Sequence, residues 1–342
     1  MTELAAPVRV ALIGSGRMGA FHAETVARRL PDARLVAVAD PTPGAAERLA
    51  TRLGADRAVT DPAEVFADPS VDAVMIAAPS EYHADLVVAA AAAGKGVFCE
   101  KPMALTLADA DRAIDAAEAA GVVLQVGFNR RFAPDWRAAR ELLDDGRLGT
   151  PRQLRSLTRD PGGFDPARVP ANTIFTQTLI HDFDLLNWMN SDARAVEVSA
   201  MADALVAPDF KDAGLLDTAV VTIRYDNGAI AVAEANFSAT YGYDVRAEVF
   251  GSGGMVTVGS PRQITMEHWD GDGVRGLTAR GDTELLGDAY AAEFASFCAA
   301  VAGGTPPVVT GRDARAALAV AVACIDAVTT RGTVNLGQEI HA

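Results

Sequence analysis

The chain has 342 residues and a formal net charge of −15, and half of it is hydrophobic against 22% charged. That length exceeds one ordinary core and fits two domains of a globular protein. The acidity argues against nucleic acid as a partner, since phosphate binding needs clustered Lys and Arg, and it disfavours an anionic membrane surface.

The first third alternates apolar runs with helical stretches. Val8 to Ile13 reads as a strand, followed by Gly14-Ser15-Gly16-Arg17-Met18-Gly19 and a helix from about Met18 to Leu30. Leu35 to Ala39 is a second strand, ending on Asp40, and Ala73 to Ala78 a third, stopped by Pro79. Gly96 to Glu100 is a fourth, stopped by Pro102, and Val122 to Phe128 closes the series. Apolar runs that do not alternate, separated by alanine-rich helices, are what a parallel sheet covered on both faces requires. The expected first domain is therefore an α/β doubly wound (Rossmann) unit over 1–126.

Past about Gly127 the rhythm changes. Arg194–Ala202, Thr218–Tyr225, Ala229–Phe237, Val245–Phe250 and Met255–Val258 read as successive strands, the first hairpin marked by Asp226-Asn227-Gly228. Helices are expected at about Pro134–Leu143, Thr173–Met189, Glu284–Val301 and Arg312–Thr330. The second domain, 127–342, is thus an α+β unit with an open, largely antiparallel sheet. Its exposed sheet face predicts a homo-oligomer, a tetramer or dimer. Cys99, Cys298 and Cys324 lie in apolar segments without CxxC spacing and are expected as buried thiols. No basic-then-apolar leader is evident, and no apolar run approaches the ~20 residues that span a bilayer, so a cytoplasmic setting is expected.

The glycine run carries the first chemistry. Gly14 allows a tight turn, Gly16 allows close approach of a pyrophosphate, and Gly19 lets helix and strand pack, with phosphates over the helix N-terminus. Asp40 follows Gly19 by 21 residues, at a strand end where a carboxylate accepts hydrogen bonds from a ribose diol. It would repel a 2′-phosphate, so the expected cofactor is NAD rather than NADP. Pro79 and Ser80, at the end of the third strand, border the nicotinamide half.

Lys101, in Phe98-Cys99-Glu100-Lys101-Pro102, falls where such a sheet points its strand ends at the cofactor. Buried among apolar neighbours, a lysine can exchange protons near neutral pH. Gln177 and His181 are four apart on the helix expected at 173–189 and share a face, with Asp184 and Trp188 close to it. Tyr241 and Tyr243 alternate with Gly242 on a presumed strand, so both would face one side. The five histidines, His22, His83, His181, His268 and His341, show no metal-ligand spacing, so no metal is expected.

The glycine fingerprint, Glu100-Lys101-Pro102, Gly127-Phe128-Asn129-Arg130-Arg131-Phe132 and Ile180-His181-Asp182-Phe183-Asp184 together resemble the family of glucose–fructose oxidoreductases and inositol dehydrogenases. Thr158-Arg159-Asp160-Pro161 and the run from Tyr241 to Glu248 resemble its myo-inositol 2-dehydrogenase branch. The resemblance implies an NAD-dependent dehydrogenase of a cyclic polyol, with Lys101 hydrogen-bonding the reacting hydroxyl and His181 taking its proton. It implies substrate contacts at Gln177, Arg159, Asp160, Asn129 and Tyr241. Cofactor contacts would extend to Arg17, Met18, His83, Glu100 and Lys101, and the back of the sheet would build a tetramer. One position departs from the pattern: inositol dehydrogenases carry an aspartate four residues before the helix histidine, and this chain has Gln177. Either another carboxylate such as Asp160 approaches, or Gln177 binds a hydroxyl of a different substrate. Gln177, together with Thr158, favours a pyranose or anhydrosugar as the rival substrate. A catalytically silent NAD-sensing protein is a rival of another class.

Overall fold

The computed structural model describes residues 6–337, so His341 lies outside the described residues. The chain divides into two compact units, Met1–Asn129 with Asp288–Arg315, and Arg130–Gly287 with Ala316–Ala342.

The first unit begins β1 (Val8–Ile13), α1 (Arg17–Arg29), β2 (Ala33–Ala39), α2 (Ala45–Leu53), β3 (Arg57–Val59) and α3 (Pro62–Phe66). It continues β4 (Ala73–Ile76), α4 (His83–Ala92), β5 (Gly96–Cys99), α5 (Leu107–Ala120) and β6 (Leu124–Val126). The strands lie in the order β3-β2-β1-β4-β5-β6, each pair parallel. Strand order reverses between β1 and β4, which is where a doubly wound sheet opens a crevice at its carboxyl edge. The strand at 57–59 escaped the sequence reading because three residues carry no measurable period.

The second unit contains α6 (Pro134–Asp144), β7 (Pro151–Arg159), a π-helix (Ile174–Leu179) and α7 (Ile180–Met189). Then come β8 (Ala195–Asp203), β9 (Thr218–Tyr225), β10 (Ile230–Asn236), β11 (Asp244–Gly251), β12 (Met255–Val258), β13 (Arg262–Asp270) and β14 (Gly273–Thr278). The last elements are α8 (Asp282–Gly303), α9 (Gly311–Thr330) and β15 (Thr333–Asn335). A seven-stranded sheet runs β12-β11-β7-β10-β9-β8-β15, antiparallel except where β10 lies parallel to β7. On β9 the residues alternate: Ala219, Val221, Ile223 and Tyr225 are buried while Val220, Thr222 and Arg224 are exposed. The helix expected over 173–189 instead opens as a π-helix and turns α-helical only at Ile180. Asp226-Asn227-Gly228 does turn β9 into β10, with Gly228 at φ +87°.

The domain boundary read from sequence differs from the structure. From Asp288 onward α8 belongs to the first unit, where Phe294, Phe297 and Cys298 join Leu12, Met75 and Phe98 in one core cluster. Among the described residues, α8 is the one helix long and apolar enough by length and composition to cross a membrane, although Asp288 and Glu293 interrupt its apolar run. Its hydropathy is that of a core helix, because Phe294 and Phe297 are fully buried in the first unit. All three cysteines are free and buried, and burial pushes the Cys298 thiol up to about 12.

Truncating Phe294 to Ala is expected to cost about 3–5 kcal/mol, the usual penalty for emptying an aromatic site in a core. A lowered urea midpoint of the purified variant measures it, and an unchanged midpoint refutes the place given to α8.

Candidate active site

The carboxyl edge of the first unit's sheet gathers most of the residues singled out for the cofactor. β1 ends in Gly14 at φ +95°, where an added Cβ would lie 2.7 Å from the Ala77 carbonyl oxygen. A Cβ at Gly19 would collide with the Gly14 carbonyl, so α1 is seated directly against the turn. Gly16 is different: it is exposed, and a Cβ there would meet nothing within 4 Å. No protein contact demands glycine at 16, and the space over the helix is open to a ligand. α1 runs 13 residues from that point with no side-chain cap and no acid in its first turn, so its leading N–H groups and dipole suit a phosphate. Arg17 is exposed and Met18 half-buried at the same end.

Asp40, at the end of β2, faces this turn. Its Oδ2 accepts from the Ser15 amide and hydroxyl, both at 2.7 Å, and its Oδ1 from the Thr42 amide at 2.9 Å. Burial alone would raise this carboxyl, but the hydrogen bonds from Ser15 and Thr42 outweigh it and hold it below the usual carboxylate range. A fixed anion beside an uncapped helix N-terminus fits NAD, with the carboxylate for the ribose diol and the helix for the pyrophosphate. At the end of β4, Pro79 is exposed and Ser80 half-buried, leading a short helical turn, Ser80–Tyr82.

Lys101 follows β5 and is half-buried, and its peptide bond to Pro102 is cis. Its surroundings are not the apolar ones expected. Glu100 is buried, its Oε1 lying 2.5 Å from His22 Nε2 and its Oε2 accepting from the Lys101 amide at 3.0 Å. Burial raises this carboxyl, yet the hydrogen bond from His22 and the charges of His22, Lys101 and His83 bring it below the usual carboxylate range. Glu100, expected among the cofactor contacts, therefore has both oxygens engaged inside the protein. His83, expected near the phosphates, has Nδ1 2.8 Å from the Pro102 carbonyl and Nε2 2.7 Å from the Ala78 carbonyl. Asn129, also in this unit, is buried with its side-chain oxygen unpartnered.

Gln177, His181, Arg159, Asp160 and Tyr241 belong to the second unit. Gln177 and His181 are half-buried, whereas Phe175, Leu179, Ile180, Asp182 and Phe183 around them are buried. The buried side of α7 is charged. Asp182 Oδ1 accepts from Arg130 Nη1 at 2.9 Å and from the Ser156 hydroxyl, and its Oδ2 accepts from Thr158 at 2.7 Å. Arg131 forks onto Asp184 at 2.9 and 2.5 Å and lies over the Trp188 ring. Thr158 is thus turned inward, which removes it from the argument about substrate.

Tyr241 and Tyr243 do not share a side. They lie before β11 rather than on a strand, and with Gly242 at φ +138° between them Tyr241 is exposed and Tyr243 buried against Arg130. The Tyr241 hydroxyl donates to Asp244 at 2.7 Å and accepts from Arg159 at 3.2 Å, and Arg159 also lies 3.6 Å from Glu234. Asp160 is half-buried and pinned by backbone bonds to Asn236 and Ala239. The sequence reading passed over the His22–Glu100 pair. The available signal was that His22 falls three residues after Gly19, on the same inward face of α1.

Residues 8–128 match the GFO/IDH/MocA oxidoreductase family, NAD-binding Rossmann fold, and residues 136–257 match the GFO/IDH/MocA C-terminal domain. The chain is 38% identical to the myo-inositol 2-dehydrogenase of Thermotoga maritima over 97% of its own length and all of that protein. It is 36% identical to the scyllo-inositol 2-dehydrogenase (NAD(+)) of Bacillus subtilis over 92% of each. Among solved structures, scyllo-inositol dehydrogenase from Lactobacillus casei with bound NAD(H) and scyllo-inositol superposes with a TM-score of 0.92 at 25% identity, covering 96% of this chain and 99% of that one.

The depressed Glu100 carboxyl gives stability that is full above its unfolded value of about 4.3 and is lost as pH falls through the lower folded value. Glu100→Gln is expected to lose roughly 1.5–3 kcal/mol at pH 7, the worth of a hydrogen bond to a charged group, and to flatten the acid limb. Urea midpoints measured from pH 7 down to pH 3 read both effects. Parallel wild-type and variant curves would contradict the assignment.

Proposed function

The chain belongs to the GFO/IDH/MocA family of NAD-dependent oxidoreductases acting on CH–OH groups, and from that premise we propose that it oxidises a secondary hydroxyl of an inositol-type cyclic polyol to a ketone. The observation that carries the reading lies in the first unit. Lys101 stands on the turn after β5, at the same sheet edge where the glycine turn and Asp40 provide the cofactor's seat. NAD, when bound, accepts the hydride released from the substrate carbon.

The chain's own residues then divide the remaining work. Gly16 and the start of α1 hold the diphosphate, with Arg17 and Met18 at its border and Asp40 on the ribose. Pro79 and Ser80 line the nicotinamide side. Lys101, beside the buried Glu100, donates to the reacting oxygen and stabilises the negative charge that grows on it. The role of proton acceptor falls to His181, which is half-buried. Asn129, Arg159, Asp160, Gln177 and Tyr241 are the substrate contacts in this reading. The exposed sheet face, with Met201, Val220, Ile230 and Phe250 outward, fits a homotetramer or dimer. A cytoplasmic setting agrees with three buried free thiols.

A pyranose or anhydrosugar is the second reading, favoured by Gln177 where inositol dehydrogenases carry an aspartate. Reduced-cofactor absorbance with NAD and a panel of inositols, monosaccharides and anhydrosugars separates the two. Turnover of myo- or scyllo-inositol is expected, and turnover of pyranoses alone would overturn the polyol assignment. With the substrate in hand, Lys101→Met and His181→Ala should each lower kcat by about 10²–10⁴-fold. Gln177→Asp should raise inositol turnover if a catalytic carboxylate has been lost there, and abolish native activity if Gln177 binds substrate.

A further inference from the structure

Two buried histidines, neither given a role in the proposed reaction, hold the turn that carries Lys101. His22, on the inward face of α1, is fully buried among the rings of Phe21, Phe98, Tyr290 and Phe294. Its Nε2 lies 2.5 Å from Glu100 Oε1, and the other Glu100 oxygen accepts from the Lys101 amide at 3.0 Å. Gly127 leaves room for this carboxyl, since a Cβ there would sit 3.3 Å from it. His83, the first residue of α4, is also buried and bridges the Pro102 carbonyl at 2.8 Å and the Ala78 carbonyl at 2.7 Å. Carbonyl oxygens only accept, so each of these bonds is made by a ring nitrogen that carries a hydrogen. The peptide nitrogen of Lys101, through Glu100, and the carbonyl of Pro102 are therefore both held, by a residue of α1 and a residue of α4. Apolar side chains of equal volume would hold a loop with less desolvation, so what these polar groups supply is orientation.

We propose that His22 and His83 are positioning residues for Lys101, fixing the backbone on either side of it. This rests on the role given to Lys101 above. His22 acts through the Glu100 carboxylate and His83 through the Pro102 carbonyl. A glutamine at 83 carries its donor and acceptor at one end and cannot donate in two opposite directions.

The chain has three lysines, which makes a direct test practicable. Lys95 is clamped on the carbonyls of Asp68 and Val71, and Lys211 is exposed beside Asp203, so they report folding and reagent strength respectively. Reductive methylation, followed lysine by lysine by peptide mass, is compared in the wild type, His83→Gln, His22→Met and His22→Gln. Lys101 should label about threefold faster or more in His83→Gln and His22→Met while Lys95 stays protected, as expected of local rather than global opening. In the same variants kcat should fall roughly 10–100-fold, the effect of misplacing a catalytic group, while NAD affinity moves little. His22→Gln, which keeps a donor toward Glu100, should restore most of both. Wild-type labelling of Lys101 in folded His83→Gln would overturn the proposal, as would a kcat loss matched by an equal loss of NAD affinity. If Lys95 labels rapidly in His22→Met, that variant has unfolded and His83→Gln decides alone. If the wild type turns over no polyol or sugar, the functional reading fails, yet the labelling still decides whether the histidines hold Lys101.

Discussion

The packing of α1 against the end of β1 governs the first unit. A side chain at position 19 would overlap the Gly14 carbonyl, and one at 14 would strike the backbone at Ala77. Because two glycines permit that approach, the first turn of α1 stands open at the sheet edge while its inward face runs into the core. The outward consequence is an anion seat, with Asp40 beside it. The inward consequence is that His22 reaches Glu100 and thereby the strand end carrying Lys101. One close contact between a helix and a strand thus shapes both the turn proposed for the cofactor and the strand end that carries Lys101.

The second unit meets a different constraint, the burial of charge. Adjacent arginines at 130 and 131 are answered by aspartates at 182 and 184, all four nearly inaccessible. Taking such ions out of water costs several kcal/mol each, offset only where hydrogen bonds fill the remaining lone pairs. Ser156 and Thr158 do so at Asp182, and Trp188 covers Arg131. With Asp182 and Asp184 of α7 so engaged, His181 at the start of α7 and Gln177 on the preceding π-helix remain half-buried.

Much of the molecule was legible from local pattern. The parallel strands, the glycine turn, Asp40 and the hairpin at 226–228 are encoded within a few residues of themselves, and they appear where the sequence places them. What escaped was set at long range or by one atypical backbone angle. β7 carries Ser156 and Thr158 inward because Asp182 and Arg130 need partners, so its inner face does not read as apolar. Tyr241 and Tyr243 part company because Gly242 at φ +138° breaks the alternation. Gln177 lies on a π-turn that propensity does not foretell. Glu100 and His83 were read as cofactor contacts from their place in the motif, but their hydrogen bonds run within the protein.

The return of 288–315 to the first unit gives the molecule a particular order of assembly. During synthesis β1 through β6 emerge early, yet the aromatic wall around His22 and Phe98 waits for Phe294 and Phe297, near the end of translation. Domains as a rule fold from the N-terminus as the chain appears. Here the first unit remains an open core, holding a carboxylate and an imidazole without their apolar cover, until the second unit has been made. A ribosome-bound fragment that ends before α8 would therefore be a client for chaperones rather than a competent cofactor-binding domain.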